Sequence, residues 1–341
     1  TALGKIVGFD IGDTSVKMVY FSGKELKAAV CAPLPDNMVS EGRILSMDAM
    51  ADFLRETAKQ NGIPLGAGAA LALPGSAAFT REVTLPAMTE QQLNYNLPYE
   101  FHDFLTEEKN KYFFDYSVRR IVPDEEGHPK EMELFACAMR KADVEAYRAM
   151  FRRAGFKLKV LTPSECACEA VVAAYIRRTG TAGVDRGLVN LGHQLTRLYL
   201  FQGAESAGVR EIDRGLAELD EQIAERFGVD VHVAHGYKQT NYNEVLDSDM
   251  ARATYNQLAI EIMKPVNFYH YNNRERELKE LYLCGSGAAI APLRDAIAEM
   301  TKLRVYSGEE LLAKDLRWAE EPWLYVRAIG SVAEGMRGGL E

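Results

Sequence analysis

Apolar runs that alternate with polar residues are interspersed with apolar stripes at helical spacing along the whole chain. Runs with a period of two predict strands, and stripes with a period near 3.6 predict helices. Strands and helices that alternate in this way indicate an α/β protein. The predicted strands are residues 5–9, 16–21, 25–33, 67–73, 78–85, 112–121, 131–139, 157–161, 208–212, 278–284 and 303–306, with a further hairpin at 188–203. The predicted helices are residues 47–61, 89–97, 141–154, 163–179, 215–227, 231–237, 248–274, 290–300 and 322–336.

Residues 7–20 carry the first candidate chemistry. They read as an apolar strand, the carboxylate of Asp10, a glycine turn with the hydroxyls of Thr14 and Ser15, and a second, alternating strand. Such a hairpin can be a simple turn. It can also close on a nucleotide phosphate, because glycine lets backbone N–H groups approach the oxygens and a carboxylate can hold a cation through water.

The pattern of residues 8–23 recurs without a gap 180 residues further along the chain. In this register Asp10 aligns with Asn190 and Gly12 aligns with Gly192. A strand–turn–strand unit that repeats at half the chain length predicts two related domains, each offering a hairpin to a shared cleft.

A third glycine site follows the predicted strand at 278–284. Gly285, Ser286 and Gly287 stand between this strand and a helix, where backbone can pass close to a flat base or a phosphate. The alternative is a tight strand–helix turn without a ligand. The two halves of the chain are best divided at residues 179–186.

Composition narrows the class of protein. The chain has 341 residues, 47% hydrophobic and 26% charged, as expected for two large globular domains. A net charge of −9 and the absence of a basic run argue against a nucleic-acid surface. The five cysteines lack the spacing of a zinc site or a disulfide framework, which predicts reduced thiols in the cytoplasm. The first residues run into a strand and no apolar run reaches about 18 residues, so we expect neither a leader nor direct membrane insertion.

The order of the three glycine sites resembles that of the actin-like ATPase superfamily. Within it, the chain resembles the PilM family of type IV pilus assembly proteins along almost its whole length. The matching stretches are residues 8–17 (Gly-Phe-Asp-Ile-Gly-Asp-Thr-Ser-Val-Lys), residues 72–76 (Ala-Leu-Pro-Gly-Ser) with Leu85 and Pro86, and residues 136–160.

The resemblance implies an α/β, actin-like ATPase fold. Two related, ribonuclease H-like domains would surround a nucleotide cleft, with an FtsA/PilM-type insert subdomain in the first half. The implied first domain is 1–183, with a core of 1–75 and 156–183 and the insert at 76–155. The implied second domain is 184–341, with a core of 184–213 and 278–341 and a helical subdomain at 214–277.

The resemblance also implies function: a cytoplasmic protein that binds ATP and Mg²⁺. It would dock the N-terminal cytoplasmic tail of a PilN-like inner-membrane protein in a groove between the first subdomain and the insert. Through this and other pilus assembly proteins it would lie at the inner face of the cytoplasmic membrane. Asp10 is expected to hold Mg²⁺ through water. The implied nucleotide-binding residues are Asp10, Gly12, Asp13, Thr14, Ser15, Lys17, Asn190, Gly192, His193, Gln194, Gly215, Lys238, Gly285, Ser286 and Gly287; the alternative for Lys238 is an ordinary surface lysine.

Departures from the family pattern bear on hydrolysis. Asn190 stands where the second hairpin usually has aspartate, and an amide cannot supply the charge that orients a metal-bound or attacking water. His193 and Gln194 replace small residues and are expected to crowd the γ-phosphate. A lone histidine in a glycine loop is more typical of packing than of a general base. We therefore expect slow hydrolysis of ATP or none, with Glu165 as the weak candidate for a water-polarising residue.

Two other functions stay open at this point. A small-molecule kinase of the same superfamily would need a catalytic aspartate, and Asn190 argues against one. An FtsA-like filament protein would need an amphipathic C-terminal helix, whereas residues 336–341 are too short and too polar for one. The aromatic residues Tyr99, Phe101 and Phe104 are expected either to pack a core or to line a peptide groove.

Overall fold

The structure is a computed structural model that describes residues 4–337. The strands are β1 (Lys5–Ile11), β2 (Ser15–Ser22), β3 (Glu25–Pro33), β4 (Val39–Ser40), β5 (Arg43–Ile44), β6 (Gly68–Leu73), β7 (Phe79–Pro86), β8 (Tyr112–Pro123), β9 (Pro129–Arg140), β10 (Lys157–Pro163), β11 (Asp185–Leu191), β12 (Thr196–Gln202), β13 (Glu205–Ile212), β14 (Leu278–Cys284) and β15 (Arg304–Ser307). The helices are α1 (Met47–Gln60), α2 (Glu90–Asn96), α3 (Lys141–Ala154), α4 (Ser164–Thr179), α5 (Ala217–Phe227), α6 (Val231–Thr240), α7 (Asp249–Asn272), α8 (Ala291–Thr301) and α9 (Val326–Arg337). Short 3-10 helices cover Leu97–Phe101, Lys109–Lys111, Tyr242–Asp247, Ser286–Ala289, Gly308–Leu311, Lys314–Leu316 and Pro322–Tyr325.

The two halves contain five-stranded sheets with the same topology. The first has the order β3-β2-β1-β6-β10 and the second the order β13-β12-β11-β14-β15. In each, an antiparallel hairpin is followed by two parallel strands. The register irregularity between the second and third strands also repeats, at Tyr20/Phe21 and at Leu200/Phe201. The sequence repeat therefore corresponds to a repeated sheet.

The insert in the first half has its own small sheet, β7-β9-β8. Leu93 of α2 and Phe101 cover one face of this sheet, where both are buried. A capping box begins α2, since Thr89 and Gln92 exchange hydrogen bonds. Helix α3, which the sequence grouped with the insert, packs instead on the first core, where the Phe151 ring lies 4.9 Å from Phe9.

Helices α4 and α9 lie together between the two large sheets. Their apolar side chains join residues of both sheets in one buried cluster that includes Phe21 and Phe201. The helices approach closely at Gly330, where a Cβ atom would lie 2.1 Å from the carbonyl oxygen of Ala167. The start of α9, near the end of the described chain, lies at the carboxyl end of β1, where Arg327 meets Asp10.

All five cysteines are free thiols. Among residues 4–337 no helix has both the length and the apolar character that crossing a bilayer requires. The predicted polar tail includes residues 338–341, which lie outside the described part of the chain.

Candidate functional site

The turns of the two repeated hairpins are built alike. The N–H of Gly12 donates to the carbonyl oxygen of Ser15 at 3.0 Å, and the N–H of Gly192 donates to that of Leu195 at 3.1 Å. A Cβ atom on Gly192 would lie 2.5 Å from the Leu195 oxygen, so this turn needs glycine. The sequence repeat thus places equivalent tight turns at the ends of β1 and β11.

The other predicted glycines close around the second turn. Gly215 leaves no room for a side chain, because a Cβ atom there would lie 2.3 Å from the carbonyl oxygen of His193. Gly285 has φ +80°, and its Cβ would lie 2.6 Å from the carbonyl oxygen of Leu191. Gly287 is buried against the same residue, whereas the neighbouring Ser286 side chain is exposed.

Asp10 lies at the floor between the hairpins, only 4% exposed. Both of its carboxylate oxygens face the guanidinium of Arg327 from α9, with Nε and Nη2 each at 3.0 Å. Burial alone would lower the pKa of Arg327, but the charge of Asp10 raises it well above its usual value. The expectation that Asp10 holds Mg²⁺ through water does not fit this geometry, because an internal cation already neutralises its carboxylate.

Asn190 occupies the matching position of the second sheet. Its side-chain oxygen accepts from the thiol of Cys284 at 3.6 Å. Burial raises the pKa of that thiol to about 12, so it stays a neutral donor. With the oxygen occupied, the amide nitrogen faces the Gly192 turn, where a Cβ atom would lie 3.8 Å from it. Asn190 therefore offers the cleft a neutral donor.

Lys17 lies opposite Asp10 in the register of β1 and β2, and it is 9% exposed. Its ammonium lies under the first turn, 3.5 Å from where a Cβ atom on Gly12 would be. Within residues 4–337 it forms no salt bridge or side-chain hydrogen bond, although Asp10 is close by. An ammonium without a paired anion at the end of a largely buried side chain is unfavourable for the fold. Such a group beside a glycine turn is suited to an anionic ligand.

The remaining residues of the first turn hold the loop in place. Asp13 accepts a hydrogen bond from the backbone N–H of Gly42 at 3.0 Å, which ties the turn to the β4–β5 hairpin. The carbonyl oxygen of Thr14 accepts from Leu34 at 2.9 Å. The charge of Asp13 also acts on His193 of the second turn, where it opposes the larger effects of burial and Lys238 on the pKa. Gln194, which was also expected to bind nucleotide, has an exposed side chain beside the second turn.

Asp220, which sequence reasoning missed, organises the helical side of the cleft. The carboxylate is fully buried, with the Lys238 ammonium 2.6 Å from Oδ1 and His235 Nδ1 2.7 Å from Oδ2. His193 Nδ1 lies 3.7 Å from the same Oδ2. Lys238 is 7% exposed, so the alternative of an ordinary surface lysine is wrong. Its ammonium is fixed beside the second turn.

His193, Asp220 and His235 place ligand atoms within 4.8 Å of one another, close enough in principle to share a metal ion. The ammonium of Lys238 already occupies the Asp220 carboxylate, however, and a divalent ion would lie beside that positive charge. The arrangement fits better as an ion-pair network that orients Lys238 and the two imidazoles.

This network makes stability depend on pH. Burial and the charge of Lys238 lower the pKa of His193 below its ordinary 6.5, so the unfolded chain binds a proton more readily than the folded one. Stability is then fully present above pH 6.5 and falls as the pH drops below it. We expect the melting temperature to fall between about pH 7.5 and about pH 5.5, and to fall less in His193→Asn. Equal pH slopes for both proteins in scanning calorimetry would contradict this.

Glu165, the candidate water-polarising residue, is the second residue of α4. It lines a cavity of about 230 Å³ with Gly75, Thr80 and Arg197. Burial, together with the neighbouring carboxylates Glu82 and Glu169, raises the pKa of Glu165. The structure places it near the second hairpin, since Arg197 belongs to β12, and its side chain shares a hydrogen bond with Thr80.

A second cavity, of about 250 Å³, lies between the first sheet and the insert. One wall is β10, the free edge strand of the first sheet. The other is the face of β8 and β9 that carries Phe113, Asp115 and Cys137. We call this cavity the docking groove. It is not lined by Tyr99, Phe101 or Phe104. Phe101 lies in the core of the insert and the other two are exposed elsewhere on it.

The residues that sequence reasoning missed are distant in sequence. Arg327 stands 317 residues from Asp10, and nothing local marks it as a partner. Asp220 gave one usable signal: it stands beside Leu219 on the buried face of α5, where an unpaired carboxylate would be costly.

Comparisons with known proteins agree with this architecture. The family model for the type IV pilus assembly protein PilM matches residues 8–308. A PilM–PilN type IV pilus biogenesis complex is similar with a TM-score of 0.78 and 20% identity over 98% of both chains. The ethanolamine utilization protein EutJ of Carboxydothermus hydrogenoformans gives a TM-score of 0.59 at 14% identity, covering 95% of this chain and 87% of that one. MreB5 of Spiroplasma citri bound to ADP gives 0.53 at 12% identity, covering 100% and 97%.

These likenesses establish the actin-like ATPase fold. The family model spans most of the chain, including both hairpins and the third glycine site. The chain belongs to the PilM family of type IV pilus assembly proteins.

Proposed function

We propose that this protein is a cytoplasmic, ATP-binding assembly module of a type IV pilus or a related system. It would dock the N-terminal cytoplasmic tail of a PilN-like inner-membrane protein and, through this and other pilus proteins, lie at the inner face of the membrane. The observation that carries the proposal is the ammonium of Lys17 beside the Gly12 turn, on a side chain that is 9% exposed and forms no salt bridge within residues 4–337, because it leaves the cleft with a site for an anion.

The remaining site residues have corresponding proposed roles. The N–H groups at the Gly12 and Gly192 turns would contact phosphates. Gly285 and Gly287, with their close backbone approach, would lie by the adenosine next to Lys238. A structure of MreB5, which has a similar fold, is bound to ADP, and this supports nucleotide as the ligand.

Hydrolysis is proposed to be slow or absent. Asn190 cannot act as a base, and the Asp10 carboxylate is neutralised by Arg327. Burial raises the pKa of Glu165, and its carboxyl group hydrogen-bonds with Thr80, so it is a poor base for an attacking water. This combination favours a protein that holds nucleotide over one that consumes it.

The docking groove supports the second half of the proposal. Its volume of about 250 Å³ is smaller than a typical small-molecule pocket of about 300–1,000 Å³. It suits anchoring side chains of an extended segment, and the free edge of β10 offers backbone groups with which such a segment can pair.

The test uses the wild-type chain. A labelled peptide with the sequence of the N-terminal tail of the PilN-like protein from the same genome is titrated in fluorescence anisotropy, with a scrambled peptide as control. ATP is titrated separately by calorimetry. Saturable binding of the tail peptide but not of the scrambled one is expected, together with ATP binding. Failure of the peptide to bind overturns the docking role, and failure of ATP to bind overturns the nucleotide role.

A further inference from the structure

The floor of the cleft carries an unusual balance of charge. The ionised side chains of this floor are Asp10, Lys17 and Arg327, which sum to one positive charge. Asn190 adds none. A floor with two carboxylates and one lysine would sum to one negative charge, and would repel phosphates until a divalent cation bound.

Arg327 lies where a cation would otherwise be needed. Its guanidinium contacts both oxygens of Asp10 at 3.0 Å, and its own side chain is 12% exposed. It is held there by α9, which packs closely on α4 at Gly330. A guanidinium in this position is charged at every physiological pH and does not dissociate.

The other carboxylate of the first hairpin does not restore a metal site. Asp13 is half-buried at the tip of the turn, and its Oδ1 accepts the backbone N–H of Gly42. Mg²⁺ is usually held by one or two carboxylates together with substrate phosphates. Here one carboxylate is neutralised, its counterpart is an amide, and the third is engaged with the backbone.

We propose that Arg327 is a built-in counter-cation that replaces Mg²⁺ in the nucleotide cleft, so that this protein binds ATP without a divalent metal. The inference rests on the proposed nucleotide binding and defines its cation requirement. The floor already presents a net positive charge and two cationic side chains, Lys17 and Arg327, near the phosphates. Free ATP should therefore bind at least as well as the Mg²⁺ complex.

The primary test compares ATP binding by wild-type protein in excess EDTA and in millimolar MgCl2, by calorimetry. The two dissociation constants are expected to agree within about threefold, or the EDTA value to be the lower one. A loss of more than about tenfold in EDTA overturns the inference while leaving the proposed nucleotide binding intact. Absence of binding in both buffers overturns the nucleotide binding itself, so the two failures are distinguishable.

Variants then locate the effect. Arg327→Gln leaves the Asp10 carboxylate without its cation, so binding in EDTA should weaken by about tenfold or more, and MgCl2 should recover it. In the double variant Asp10→Asn/Arg327→Gln both charges are absent, the fold is spared a buried unpaired carboxylate, and MgCl2 should bring no recovery. Magnesium rescue in the double variant, or no magnesium effect in a folded Arg327→Gln protein, overturns the role of Arg327.

A matched control removes an equivalent ion pair elsewhere. Arg276 pairs with the buried carboxylate of Asp185 at 2.5 Å, at the opposite end of β11 from the turn. Arg276→Gln should lower stability in the same way as Arg327→Gln and leave the magnesium dependence of ATP binding as in the wild type. A magnesium requirement in this control as well would show that lost stability, and not the counter-cation, sets the metal dependence.

Discussion

Lys17→Met is expected to bind ATP about tenfold to a hundredfold more weakly than the wild type. The same variant should melt at a higher temperature when no nucleotide is present. Lys17 is 9% exposed and, within the described residues, forms no salt bridge. An ammonium without a paired anion on a largely buried side chain is unfavourable in the empty protein, and methionine fills nearly the same space without the charge. A hydrogen bond to a charged group contributes about 1.5–3 kcal/mol, which sets the expected loss of affinity.

The opposite signs of the two effects make the prediction specific. Affinity is measured by calorimetry with ATP and melting by differential scanning fluorimetry without it. Lys27→Met is the control: this lysine lies on the adjacent strand β3, is 45% exposed and pairs with Glu25 at 2.6 Å. It should change neither quantity. If Lys17→Met binds ATP as tightly as the wild type, the phosphate role of Lys17 is wrong.

The sequence predicted the parts of the site that are built by local spacing. A glycine turn and its two strands lie within about fifteen residues, and the period of two fixes which side chains share a face. The pairing of Asp10 with Lys17, and of Asn190 with Arg197, follows directly from that register. The sequence repeat also predicted that the two sheets would be built alike, because one alignment matches the hairpin of the first sheet with that of the second.

What the sequence could not predict depends on long-range packing. Arg327 meets Asp10 only because α9 packs between the two large sheets, a contact that no local pattern encodes. The hairpin of β4 and β5 was missed because two-residue strands have no periodicity to detect. Helix α3 was grouped with the insert by its place in the chain, whereas Phe151 packs it on the first core.

The first sheet connects the cleft with the docking groove. In the first sheet Asp10 lies opposite Ala72 of β6, and Ala72 lies opposite Thr162 of β10. The floor of the cleft and the wall of the groove are therefore two strands apart, about 10 Å at the usual strand spacing. Peptide binding should accordingly be measured with and without ATP, since a shift at β1 has a short route to β10.

Phe113→Ala is expected to weaken binding of the PilN-like tail peptide by about thirtyfold, the equivalent of about 2 kcal/mol. Phe113 forms part of the apolar wall of the groove, opposite β10. It is 48% exposed, so its ring is available to a docked segment and contributes little to the core. Stability should change by no more than about 0.5 kcal/mol, because the site is not a buried one.

Tyr95→Ala is the matched control for this variant. Tyr95 is an aromatic residue of the same insert and is 71% exposed. Its ring centroid lies 6.0 Å from that of Tyr99, which does not line the groove. Anisotropy titrations should give the wild-type affinity for Tyr95→Ala and a weakened one for Phe113→Ala, with ATP affinity unchanged in both. If both variants lose peptide binding equally, the tail docks on the exposed aromatic face of the insert. If neither does, it docks elsewhere. Unchanged peptide binding in Phe113→Ala would remove the groove between β10 and the insert as the docking site, because the proposal requires the peptide to contact the wall that Phe113 forms.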